Sequence, residues 1–308
     1  MTVGPGTIAP DVSVVIAFYN RRGGAARCLE AVLSQELPLG IAMEVIAVDN
    51  GSTDSTREEL ARFPVRLADC AERGPAAARN AGIRAARAPI IATTDSDCAP
   101  EPGWLARIIE PFADARVIAA GGPIVSLEHN RGVTLFIDFF RILNQEKFFR
   151  GGQCNPPFVA TANAAFRREA VERVGGFDES LLVGEDADLC WRMLGAGGAI
   201  AYCPLAVVRH AHRDTFMAFF RMALNYGEGC AALFARHRGR FGLRRLVQWD
   251  NIYNLALAPW RALWGLVTGR TPFERKIALY DALWRSGFTI GCVAGSIRNR
   301  IVFLLVSH

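Results

Sequence analysis

The chain has 308 residues, 51% hydrophobic and 21% charged, which excludes disorder as a description of the whole and allows a large core with a smaller appendage. Its formal charge of +5 hides a split: residues 209–308 hold fifteen Lys and Arg against five Asp and Glu, a net +10, and the residues before them sum to −5. A basic C-terminal face is therefore expected to meet a phosphate-bearing surface, lipid or nucleic acid. The N-terminal "MTVGPGTIAPD" has neither the basic residues nor the apolar run of a secretory leader, so a cytosolic protein is expected. Eight cysteines show no C-x-x-C pair and no zinc-ligand spacing, and read as buried thiols.

"VSVVIAFYN" (12–20) is a β-branched run closed by polar residues. "RCLEAVLSQEL" then puts Cys28, Leu29, Val32 and Leu33 on one helical face. "MEVIAVDNGSTDSTREEL" repeats the sequence of events: a strand to about Val48, a polar loop, and a helix opened by the capping-box pattern "STRE". "PVRLAD", the Ala-rich "GPAAARNAGIRAAR" and "PIIATTD" continue the alternation, which predicts an α/β fold with a largely parallel sheet and helices on both faces. From about residue 117 mixed strands and helices complete a first domain, expected to span 11–212. The remainder, 213–308, reads as helical, basic and aromatic. Within it "TPFERKIALYDALWR" signs a helix with Thr271 as N-cap, Pro272 in the first turn, Glu274 closing a capping box, and Phe273, Ile277, Tyr280 and Trp284 along one stripe. No uncharged run there reaches the ~18 residues of a spanning helix. Two readings stand: a helical cap on the core, or an interfacial region with Trp249, Trp260, Trp264 and Trp284 at headgroup depth beside arginines, which would make the protein peripheral on the cytoplasmic membrane.

In parallel α/β sheets ligands gather beyond the carboxyl ends of the strands, where the polar tips Tyr19–Asn20, Asp49–Asp54 and Asp95–Asp97 converge. Asp95 and Asp97 stand one residue apart. On a strand such residues face the same way, so both carboxylates would aim at one spot and repel unless a cation lies between them. Hard oxygen ligands suit Mg²⁺ or Mn²⁺, whose sites often combine one or two carboxylates with substrate phosphate oxygens. A diphosphate-bearing substrate is the expectation.

"VSVVIAFYNR", "EVIAVDNGSTDST", "GPAAARNAGIRAA", "IIATTDSDCAPEPGWL", "ATANAAFRREAVERVGGFDESL" and "GEDADLCWRM" occur in the order and spacing of family 2 glycosyltransferases with the GT-A fold, and the resemblance spans roughly residues 11–212. It implies an inverting, metal-dependent transferase that moves a sugar from a nucleotide diphosphate to an acceptor hydroxyl. It further implies Ala17, Tyr19 and Asn20 at the nucleotide, Asp49 on base or ribose, Gly74, Arg79 and Asn80 at the donor, Asp95 near the ribose, and Asp97 on Mn²⁺ or Mg²⁺. Many members carry a second acidic residue where this chain has Asn50, so the base is left open among UDP, GDP and dTDP. Of His210 and His212, the resemblance selects His210 to complete the metal's coordination, and it places Asn163 in the donor-sugar or acceptor pocket. Glu185 and Asp186 resemble the family's acidic pair, with Asp186 the general base and Glu185 anchoring the loop. Asp188 and Arg192, four apart on a helix, are more plainly an ion pair, with Arg192 supporting the acceptor side.

The expected partners are a nucleotide-sugar donor, an acceptor of saccharide, lipid-linked or small-molecule type, and an anionic membrane surface, but no nucleic acid. Competing readings are a nucleotidylyltransferase, for which "FYNRRGGAARCLE" lacks a phosphate-cradling spacing, and a catalytically inactive lipid- or carbohydrate-binding module, which the intact Asp95, Asp97 and Asp186 argue against. No G-x-G-x-x-G follows a strand, which disfavours a dehydrogenase.

Overall fold

The computed structural model describes residues 9–128, 132–151, 156–212, 215–240, 245–247, 257, 260, 263–265, 267–269 and 271–304. Ten strands are used below: β1 (Val12–Phe18), β2 (Met43–Asp49), β3 (Arg66–Asp69), β4 (Ile90–Asp95), β5 (Cys98–Pro100), β6 (Val117–Gly121), β7 (Ile124–Ser126), β8 (Asn163–Arg167), β9 (Ala199–Tyr202) and β10 (Val208–His210). Among the described residues a seven-stranded sheet runs β3-β2-β1-β4-β8-β6-β9. Its ladders are parallel except at β8, which runs antiparallel to both β4 and β6. The mostly apolar runs of β1 and β2, interrupted only by Ser13 and Glu44 before the Asp49 tip, follow from this, because an interior parallel strand covered on both faces needs no polar alternation.

The Ala-rich segment is the helix Pro75–Ala85, and small residues suit it because it lies very close to the sheet. A Cβ added at Gly82 would stand 2.2 Å from Val15 Cγ1 and 3.0 Å from Val48 Cγ2. Helix propensity alone favours Ala over Gly by ~1 kcal/mol. Overpacking a filled core costs ~1–3 kcal/mol. At 2.2 Å the overlap decides the sign, so Gly82→Ala is expected to lower the urea midpoint; a variant as stable as wild type would show that Val15 can repack without cost.

One capping expectation is corrected. Ser55 makes no side-chain cap at the helix Thr56–Leu60. Asp54 Oδ1 accepts the Thr56 N–H instead at 3.0 Å, and the buried Thr56 hydroxyl accepts the Arg21 N–H at 2.7 Å, which ties the helix start to the end of β1. The cysteine reading concerns Cys28, Cys70, Cys98, Cys190, Cys203, Cys230 and Cys292, all free thiols; Cys230 is half-buried and the others are buried. Cys154 lies outside the described residues.

Two compact units divide the chain. The first takes the residues up to Leu127 with Asn144–Ser180 and Glu185–Ala211, and contains both the large sheet and a small one of order β5-β10-β7. The second takes Glu128–Leu143, Leu181–Gly184 and His212–His308. Its core joins Phe136 of the helix Gly132–Phe140, Phe219 of the helix Phe216–His237, and Tyr280, Trp284 and Phe288 of the helix Pro272–Asn299. The last two helices meet nearly backbone to backbone, since a Cβ at Gly291 would lie 2.0 Å from the Leu224 carbonyl oxygen. Thr271 and Glu274 form the expected capping box. Trp284 belongs to this core, which corrects its placement at a membrane interface. Trp249 lies outside the described residues.

Candidate active site

The ends of β1, β2 and β4 come together because these strands are parallel neighbours, with Phe18 level with Asp49 and Ala17 level with Asp95. Asn20, in the left-handed region at φ 50°, bridges the tips: its N–H donates to Ser52 Oγ at 3.1 Å and its Oδ1 accepts the Thr53 N–H at 2.9 Å. Asp49 is buried and accepts the Ser52 N–H at 3.2 Å. Tyr19 is exposed, and the Arg73 guanidinium lies 5.8 Å from its ring centroid. Gly74, at φ 129°, opens the helix Pro75–Ala85 and donates its N–H to Asn50 Oδ1 at 3.0 Å. Tyr19, Asn20, Asp49 and Gly74 thus share one rim. Asn50 serves as its staple, since its Nδ2 also donates to the Glu72 carbonyl at 2.6 Å.

The strand β4 ends at Asp95, and Asp97 sits in the turn beyond it, so strand alternation does not govern where both carboxylates point. Each instead meets its own guanidinium. Arg79 Nη2 donates to Asp95 Oδ1 at 2.8 Å, whereas Arg21 pairs with Asp97 Oδ2 and donates from Nε to Ser96 Oγ at 3.0 Å. The repulsion between the aspartates is offset by these two cations. The pairing of β10 with β5 then sets His210 opposite Cys98, with the Ala211 N–H donating to the Asp97 carbonyl at 2.8 Å. His210 Nε2 lies 3.5 Å from Asp97 Oδ1.

Asp97, Cys98 and His210 hold one ligand atom each within 4.8 Å of one another. A hard oxygen and an imidazole nitrogen suit Mn²⁺ or Mg²⁺, with phosphate oxygens and water filling the remaining positions. Cys98 suits it less. Burial first, and the charges of Asp95 and Asp97 after it, push its thiol well above the usual range, and a soft sulfur matches these hard ions poorly. Asp97 and His210 therefore fit the implied cation.

Across the tip of β4, the buried Arg79 also donates to Glu185 Oε1 at 2.7 Å, so one guanidinium links β4 to the first residue of the helix Glu185–Gly195. Its charge is kept despite burial by Asp95 and Glu185, whose attraction outweighs the desolvation that opposes it. Asp186 follows without an ion-pair partner among the described residues. Burial, with the neighbouring Glu185 charge second, pushes its carboxyl up to about 7. Its Oδ1 accepts the Ala187 N–H at 2.8 Å.

Three residues expected at the ligands hold internal partners. Asn80, expected at the donor, spends both donors on the Phe177 carbonyl (2.9 Å) and Glu179 Oε1 (2.8 Å), and its Oδ1 accepts the Phe177 N–H (2.8 Å). Asn163, expected in the sugar or acceptor pocket, is fully buried; its Oδ1 accepts from Trp104 Nε1 and its Nδ2 donates to the Pro123 and Ala206 carbonyls, each at 2.8 Å. Arg79, expected at the donor, is committed to two carboxylates. Arg192 pairs with Asp188 at 2.7 Å and also donates to the Val174 and Gly176 carbonyls, each at 2.7 Å, so it holds the turn before the acidic pair. Arg21 and Cys98 join the site without having been expected there. Arg21 had a visible signal, since it directly follows Tyr19–Asn20 and supplies a cation at the strand tips.

The description "Glycosyl transferase family 2" matches residues 13–175. A pre-mycofactocin glycosyltransferase of Mycobacterium tuberculosis is 33% identical over 240 residues, covering 74% of this chain, which spans about half (48%) of that relative's length. The glycosyltransferase AglE of Haloferax volcanii is 30% identical over 228 residues, covering 71% of this chain and 73% of that protein. Among solved structures, the mannosyltransferase PcManGT from Pyrobaculum calidifontis in complex with GDP-Man and Mn²⁺ superimposes with a TM-score of 0.61 at 21% identity, over 96% of this chain and 88% of that one. S. aureus TarS 1-349 in complex with UDP gives 0.51 at 18% identity, over 94% and 88%. These likenesses establish the GT-A fold. Over half of the chain fits one sequence family, and the chain belongs to glycosyl transferase family 2.

Proposed function

We propose that this glycosyltransferase is inverting and divalent-metal-dependent, and moves a sugar from a nucleotide diphosphate to an acceptor hydroxyl. The observation that carries the reading is the division of labour around β4: Asp97 and His210 offer a cation site on one side, and Asp186, its carboxyl near neutrality, stands on the other beyond Arg79. The GDP-Man and Mn²⁺ bound by PcManGT support the choice of donor class and ion. Mn²⁺ or Mg²⁺ bound through Asp97 and His210 would supply positive charge to the departing diphosphate.

The chain's own residues do the rest. The rim of Tyr19, Asn20, Asp49 and Gly74 receives the nucleotide. Asp186 takes the acceptor's hydroxyl proton on Oδ2 while the acceptor oxygen bonds to the anomeric carbon and the bond from that carbon to the diphosphate breaks. Attack opposite the leaving group inverts the configuration. Glu185, fixed by Arg79, keeps the helix start in place and by its charge holds Asp186 basic enough for the task. The acceptor stays open among saccharide, lipid-linked and small-molecule types.

Asp97→Asn tests the metal role. It is expected to weaken nucleotide-sugar binding at least ~10-fold in Mn²⁺, a loss typical of disturbed metal sites, and to change it little in EDTA. Calorimetric titration in the two conditions reads the difference, and equal weakening in both would remove the metal from the mechanism. The product's anomeric configuration, read by NMR, tests inversion.

A further inference from the structure

The second unit buries aromatic residues efficiently along the helix Pro272–Asn299, yet leaves another set facing water. Trp260, Leu263, Trp264 and Val267 are helical and exposed at 68%, 54%, 71% and 73%. Their spacing is i, i+3, i+4, i+7, one stripe of a helix. The packed side is different: Gly265 meets the helix Pro272–Asn299 so closely that a Cβ there would lie 2.4 Å from Ala278 Cβ. The described residues around the stripe therefore include one side packed at Gly265, and two tryptophans still face outward.

We propose that this stripe is a membrane-docking face for an anionic lipid surface, lying in the interface plane. Charge selects the occupant. In the sequence Arg261 directly follows Trp260 and Arg270 lies just beyond the stripe, Arg275 and Lys276 follow as exposed residues, and the last hundred residues carry a net +10. A second copy of the chain related by two-fold symmetry would bring like charge against like charge at the same patch. An anionic leaflet offers the opposite sign, an apolar layer for Leu263 and Val267, and a headgroup zone that suits the amphipathic indole ring. Among the described residues no helix is long and apolar enough to cross a membrane, so attachment through this face is peripheral. The inference is independent of the catalytic assignment.

The test is co-sedimentation of the full chain with vesicles of phosphatidylcholine, with and without phosphatidylglycerol, at low and high salt. Binding is expected only with the anionic lipid and is expected to fall as salt rises, because the attraction is screened. The double variant Trp260→Glu, Trp264→Glu should lower the partition coefficient at least ~10-fold, since burying one large apolar side chain is worth on the order of that factor. Both positions are exposed, so its melting curve should match the wild type. Failure to bind anionic vesicles at low salt overturns the proposal, as does undiminished binding by the double variant. A wild-type dimer that the double variant converts to monomer, with vesicle binding unaffected, would assign the face to a second copy instead.

Discussion

Asp186→Asn is expected to lower turnover by roughly 10²–10⁴-fold while donor and metal affinity stay near wild type. Asparagine keeps the shape and loses the basic oxygen, and a sugar hydroxyl at neutral pH needs an acceptor for its proton as the new bond forms. In the wild type, turnover should rise with pH through about 7, where the Asp186 carboxyl ionises. Stability should run the other way. The folded carboxyl holds its proton to about 7 against an ordinary 3.8, so the native state binds more protons than the unfolded chain between those values, and stability falls as pH rises across that window. The Asn variant lacks this liability and should melt no lower than wild type at pH 8, which separates lost chemistry from lost folding. Near wild-type turnover in the variant would move the general base elsewhere.

Arg79→Met should produce a large loss of stability. The guanidinium is buried between Asp95 and Glu185, and Glu185 is itself buried. Removing one member of such a set strands the other charges, a cost of ~3–5 kcal/mol. For a unit of this size each kcal/mol lowers the melting temperature by roughly 2–4 °C, so a fall of roughly 6–20 °C is expected. Lysine is a poor rescue, because a single ammonium lacks the planar fork that reaches both carboxylates. Adding Glu185→Gln to Arg79→Met should recover part of the loss. Arg79 also holds the Asp186 carboxyl down, so any activity that survives Arg79→Met should require higher pH than the wild type. A change in melting temperature of under a degree or so would mean that water enters and replaces the guanidinium.

The sheet was legible because its information is local. Apolar runs such as "VSVVIAF" and "MEVIAVD" and the loops between them lie within single stretches of chain, and β1, β2 and β4 occur where the pattern puts them. Side-chain partners were not legible in the same way. Asn80 and Asn163 carry types that suit a ligand pocket, and nothing in the sequence shows that their hydrogen bonds are taken by Phe177 and Glu179, or by Pro123, Ala206 and Trp104. The same holds for Asp95 and Asp97, where periodicity fails at the strand end and Arg21 and Arg79 arrive from elsewhere in the chain. Trp284 and Trp264 look alike in the sequence, yet one fills a core and the other faces solvent, a distinction set by which helices meet.

The register of His210 against Cys98 bears on the order in which the protein assembles. Those residues are 112 apart (210 − 98), so the contact closes a long loop that contains β6, β8 and β9. Loop closure of that span is entropically unfavourable by an amount that grows slowly with length, and such contacts delay folding more than they weaken the finished state. A nascent chain that has emerged only as far as β4 and β5 has Asp97 without His210. On the proposed assignment of the cation to Asp97 and His210, its capture would wait for β10, and a chain stalled before that strand would carry only one of the two ligands.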